Sequence, residues 1–148
     1  MRSIYWYWQD KRGDRRMPAR RDIDPIDLRF HLPRIILVDV VSDDRRFVYR
    51  LVGTQEVAGR GYDPTGRSVG EAFYAESQEA ALASYEYVVR ERRPFCFKDP
   101  YVTRDGWHEH EDTIYLPLSE DGMNVTMILV YSFSYDFRPR MDNPIMLK

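Results

Sequence analysis

Residues 34–41, Arg-Ile-Ile-Leu-Val-Asp-Val-Val, are apolar on both alternating faces apart from Asp39, the pattern of a strand covered on both sides. Ser42-Asp43-Asp44-Arg45 is a polar turn, and 46–52 returns as a second strand, so the pair predicts a hairpin. Between Gly53 and Phe73 the chain is interrupted by Gly59, Gly61, Pro64, Gly66 and Gly70, which predicts short helical turns. Residues 74–93 carry a helical stripe of Gln78, Leu82, Tyr85 and Val89, widened by Ala81 and Val88 and stopped by Pro94. Three further strands are predicted at about 95–103, 107–118 and 124–135, joined by connectors that contain Asp105-Gly106 and Asp121-Gly122. The last is apolar on both faces in its middle, as suits the centre of a sheet.

Upstream, Ser3 can cap a helix over 4–12 that Gly13 ends. Residues 15–21 read as an extended connector, and Asp24-Pro25 opens a short helix through Leu32. The division expected is an N-terminal helix and basic linker (1–33), a sheet-and-helix domain (34–136) and a loosely ordered tail (137–148). Two strands, broken helices, a long helix and three strands predict an α+β fold on a five-stranded antiparallel sheet, with helices on one face and an added N-terminal helix.

Within this frame Arg50-Leu51-Val52-Gly53-Thr54, Gly61-Tyr62-Asp63-Pro64-Thr65-Gly66-Arg67 and Val69-Gly70-Glu71-Ala72-Phe73 resemble the signature of PAS domains. Tyr7-Trp8, Arg12-Gly13, Pro18-Ala19-Arg20-Arg21, Asp24-Pro25, Leu32-Pro33 and Leu37-Val38-Asp39 resemble the leader of a family of small proteobacterial single-domain PAS proteins. Leu116-Pro117-Leu118-Ser119 with Asp121-Gly122 is similar to that family's last hairpin. The resemblance implies a sensory or protein-interaction module with no agreed cofactor and no catalytic residues to carry over. Gly66 and Gly70 are expected to supply backbone angles that a side chain would resist. Some PAS domains bind haem through a histidine on the long helix, and 74–93 contains none. Flavin-adduct PAS domains place a cysteine in an Asn-Cys-Arg helical context, whereas Cys96 follows Pro94-Phe95 at a strand start. Haem and covalent flavin are therefore not expected, and Cys96 reads as a small buried apolar residue.

A chain of 148 residues supports one domain and a core that needs no staple. A single cysteine excludes an internal disulfide framework. No apolar run approaches the roughly 20 residues needed to cross a bilayer, and no secretory cleavage pattern follows the first residues. A cytoplasmic location is expected. Charge changes the picture more. Overall 22 Lys plus Arg face 24 Asp plus Glu, yet residues 1–21 hold seven basic groups and two acidic ones. The basic arm either lies on the acidic body of its own domain or meets an anionic partner. A nucleic-acid-associated regulator would use Arg12, Arg15, Arg16, Arg20 and Arg21, and its binding would weaken steeply with salt.

Four aromatics in succession, Tyr5-Trp6-Tyr7-Trp8, cannot all be buried by one helix against one sheet. Ile4, Tyr5, Trp6 and Trp8 are therefore expected at a homodimer interface. Phe73, Leu82, Tyr85 and Val89 are the expected lining of a ligand cavity under the long helix. His108, His110 and Asp112 share one strand face, but at roughly 6–7 Å spacing they are too far apart to favour a shared metal ion, and none is assigned. No nucleophile with a positioned base stands out. The expected function is a single-domain sensor or interaction module that docks a signalling protein, with a small ligand as bias. The alternatives are the nucleic-acid regulator and a small-molecule enzyme on an α+β cone-like fold, marked by a cavity with a perturbed carboxylate or histidine.

Overall fold

The computed structural model describes the backbone of residues 2–102 and 108–137 and the side chains of 3–98 and 111–133. The tail beyond Phe137, the turn at Asp105-Gly106 and the side chains of His108 and His110 lie outside them. The elements run α1 (Arg2–Arg12), β1 (Ile35–Val40), β2 (Phe47–Val52), α2 (Thr54–Arg60), α3 (Gln78–Glu91), β3 (Phe95–Val102), β4 (His108–Leu118) and β5 (Met127–Phe137). Single 3-10 turns occur at Arg20–Asp22 and Leu32–Arg34.

The strands form one antiparallel sheet in the order β2-β1-β5-β4-β3. The expected α+β class is the one observed. The order explains why two strands are apolar on both faces. β1 and β5 lie inside the sheet, paired from Ile35↔Tyr131 to Asp39↔Met127. Val38, Ile128, Leu129 and Val130 are accordingly buried. On β4, Glu111, Thr113 and Tyr115 face the side covered by α3, while Ile114, Leu116 and Leu118 face the other side.

That second side is closed by the N-terminal segment. Ile4 and Trp8, one turn apart, are 1% and 3% exposed, and the Trp8 indole N–H donates to the Pro117 carbonyl at 2.8 Å. The connector read as extended is docked. Met17 and Ala19 are buried, and the Ser119 N–H donates to the Pro18 carbonyl at 2.9 Å. Three basic groups of the arm are paired within the chain, Lys11 with Asp27 (3.3 Å), Arg15 with Asp22 (2.8 Å) and Arg21 with Glu120 (3.2 Å). Exposed pairs of this kind add about 0–1 kcal/mol each, so they orient the arm more than they hold it.

Four expectations need correction. The helix expected after Asp24-Pro25 is a series of turns over 25–31. Asp24 accepts from the Ile26 N–H at 2.8 Å, but Ile26 and Phe30 are 70% and 81% exposed, so only Leu28 gives this segment an apolar contact. The long helix begins at Gln78 because the Ser77 hydroxyl accepts from the Ala80 N–H at 3.1 Å. It ends at Glu91, followed by Arg92 in a left-handed conformation (φ 55°), since Arg93 precedes Pro94 and is disfavoured in the helical region. Cys96 is exposed on edge strand β3, because Phe95 and Phe97 take the cavity face and leave it on the opposite one. Of the motif glycines, Gly66 is left-handed (φ +87°) and Gly70 is not.

Gly53 shows what the motif does structurally. It caps α2 and donates its N–H to the Ile35 carbonyl, and a Cβ there would lie 2.4 Å from the Pro33 carbonyl oxygen. Gly53→Ala is expected to cost at least about 1–3 kcal/mol, measured by urea denaturation, because backbone must move to admit the methyl group. An unchanged midpoint would contradict this packing.

Candidate ligand cavity

Between α3 and the sheet lies a cavity of about 550 Å³. It exists because the helix presents small residues, Ala80, Ala81, Ala83 and Ser84, to that side, while the strands opposite carry rings. Tyr85 is buried between Phe47 and Tyr115, with ring centroids 5.3 and 5.2 Å away, and Phe95 stands 4.8 Å from Tyr87. Burial pushes the Tyr115 phenol up to about 12 and raises that of Tyr85 well above the ordinary range, so both remain neutral donors at physiological pH.

The charged wall comes from α2. Glu56 and Arg60 are four residues apart, hence on one face of this short helix, and both reach the cavity. The Arg60 Nη1 donates to the Tyr49 hydroxyl at 3.1 Å and to the Ala72 carbonyl at 3.5 Å. Its guanidinium carbon lies 5.0 and 5.1 Å from the Tyr49 and Tyr74 ring centres, and its Nε is buried with no hydrogen-bond partner. The Glu56 carboxyl is pushed up to about 7, mainly by burial and then by the charge of Glu111, with Arg60 and Arg34 pulling it down. Such a set can bind and orient an amphipathic molecule: rings for its body, and a few charged and hydroxyl groups for its polar end.

Of the residues expected here, Tyr85 lines the cavity. Phe73 is 37% exposed, and Leu82 and Val89 pack against the core without lining the cavity. The helix is rotated so that Val88 and Tyr85 point inward, which carries Leu82 and Val89 to the margin. Ile4 and Trp8, expected at a dimer interface, are enclosed by their own chain; Tyr5 is half-buried and Trp6 is 59% exposed. Glu56, Arg60, Tyr49 and Tyr115 were not anticipated. The signal for the first two was available as an i, i+4 pair of charges in a helix bounded by Gly53 and Gly61. His31 lies on the sheet face away from the cavity, its Nδ1 3.1 Å from the Tyr131 hydroxyl. Among the described residues no group of three His, Cys, Asp or Glu side chains could hold a metal ion.

The arrangement of a five-stranded antiparallel sheet, a helical lid and a cavity between them defines a class of sensory fold. A family model described as PAS domain matches residues 1–130, and the chain belongs to that family. The match includes α1 and the leader as well as the sheet. The PAS domain from Bordetella pertussis BvgS superposes with a TM-score of 0.52 at 18% identity, over 78% of this chain and 89% of that one. A light-oxygen-voltage domain studied with a flavin analogue gives 0.53 at 13% identity, over 74% and 82%. The light-oxygen-voltage protein of Rhodobacter sphaeroides gives 0.51 at 14%, over 76% and 68%. At these identities the likeness is one of fold. No curated protein sequence matches the chain.

Proposed function

We infer that this PAS domain is a signalling module that holds a small molecule under α3 and passes its presence to a protein partner. The observation that carries this reading is the half-enclosed cavity itself, where an arginine with an unsatisfied donor and a desolvated glutamate stand among aromatic rings. A module that only docked proteins would gain stability by filling that space with larger side chains at Ala80, Ala81 and Ala83. Ligand control requires unequal affinity for two states, and α3 is the natural element to differ between them, since it forms the lid and packs on β3 and β4.

The covalent flavin chemistry of light-sensing relatives does not fit. The only cysteine, Cys96, sits on the face of β3 opposite Phe95 and Phe97, away from the cavity. We place the protein in the cytoplasm as a homodimer. No helix among the described residues is long and apolar enough to cross a membrane. Trp6 remains on the outer side of α1 as an exposed aromatic of the kind enriched at interfaces. Native mass spectrometry of freshly purified protein tests both points. The expected spectrum is a dimer carrying extra mass that denaturation releases. A bare monomer would count against ligand and dimer alike.

A further inference from the structure

Arg60 is the one side chain among the described residues with a buried nitrogen lacking any partner. None of the ion pairs found among those residues includes it. A guanidinium does not shed its proton in a protein, so the cavity wall holds a fixed positive charge for which no ion pair is found among the described residues. Burying such a charge is costly unless an anion meets it. Glu56, one helical turn earlier, is a weak counter-ion, because burial and the charge of Glu111 push its carboxyl up to about 7. Around the same space stand the flat faces of Tyr74, Phe95 and Phe97 and the inner ring of Tyr85.

We propose that the cavity takes an aromatic carboxylate that pairs with the guanidinium of Arg60 and whose ring lies among these aromatic side chains. This rests on reading the cavity as a ligand site and narrows the class of ligand. An amine of the same shape would confront the guanidinium with a like charge, and a neutral analogue would leave that charge unmatched. Charge-assisted bonds to arginine are roughly twice as strong as neutral ones, which favours the acid over both.

A second signature follows from the neighbours of Glu56, which are Glu111 on β4, Arg60 on α2, Arg34 before β1, and the phenols of Tyr49, Tyr85 and Tyr115. An anion arriving beside Glu56 favours its neutral form, so binding draws in a proton. Affinity for the acid therefore rises as pH falls through neutrality, by up to about tenfold per unit.

Isothermal titration of the full chain with hydrocinnamate, phenylpropanol and phenylpropylamine tests this, since the three share a ring and a chain and differ in the end group. Hydrocinnamate is expected to bind at least about tenfold more tightly than the alcohol, with the amine weakest. Its affinity is expected to rise from about pH 8 to about pH 6. Arg60→Gln should level the three, while Arg60→Lys keeps the charge and part of the preference; should Arg60→Gln not fold, the wild-type ranking and its pH slope decide. Equal binding of alcohol and acid, a preference for the amine, or no binding of any probe overturns the proposal. If no probe binds but the purified protein retains another small molecule, the ligand class fails and the cavity as a sensor site stands. If it retains nothing either, both fail.

Discussion

Replacing Trp8 with alanine is expected to remove about 3–5 kcal/mol of folding stability, the loss typical of a large aromatic cut from a core. Trp8 is 3% exposed and its indole N–H is bonded to the Pro117 carbonyl. The truncation therefore opens a void on the N-terminal side of the sheet and leaves a buried carbonyl without its donor, a further cost of about 1–3 kcal/mol where water cannot enter. Against a net stability of roughly 5–15 kcal/mol, that is enough to leave a visible unfolded fraction. Trp8→Phe separates the parts, since it keeps most of the packing and loses the hydrogen bond. Urea denaturation measures both. A loss below about 1 kcal/mol for Trp8→Ala would mean that α1 is an ornament to the domain and not a wall of its core.

The second large effect is at Glu56. Its folded carboxyl titrates near 7 instead of the ordinary 4.5, so the folded state holds its proton more tightly than the unfolded state. The sign follows: the stabilising contribution is complete below about pH 4.5 and is lost as pH rises through 7. Glu56→Gln, which resembles the protonated side chain at every pH, is expected to be more stable than the natural protein above pH 7, by on the order of 2 kcal/mol. The gap should close toward pH 5. His31 acts in the opposite direction, because burial lowers its affinity for a proton and its contribution is lost as pH falls. Thermal melts of the two proteins compared pH by pH cancel that term. Parallel curves with no widening gap would show that Glu56 is solvated.

The fold was legible where periodicity and burial agree. Residues 34–41 announce an inner strand because both faces of β1 are in fact covered, one by the helical lid and one by the N-terminal segment. Stripes at helical spacing were less decisive. Gln78, Leu82, Tyr85 and Val89 form as good a stripe as Ala81, Ser84, Tyr85 and Val88, and only packing against β3 and β4 selects between them. Hydrophobicity alone also points away from the cavity. The residues expected there were large and apolar, yet a hollow needs small ones, and its polar groups come from a seven-residue helix that glycines had marked as mere connection. Cys96 departs from the expected burial for a related reason. A cysteine is usually inside, but alternation on an edge strand overrides the habits of the residue type.

The bond from Trp8 to Pro117 spans 109 positions, which sets an order of events at the ribosome. The aromatic helix emerges well before the strands that must shelter it. Through most of translation it travels as an unclaimed, sticky amphiphile, with the sheet still missing its middle member, β5. Chaperone engagement and losses to aggregation during expression should therefore be governed by this helix, and released only once the final hairpin has cleared the exit tunnel.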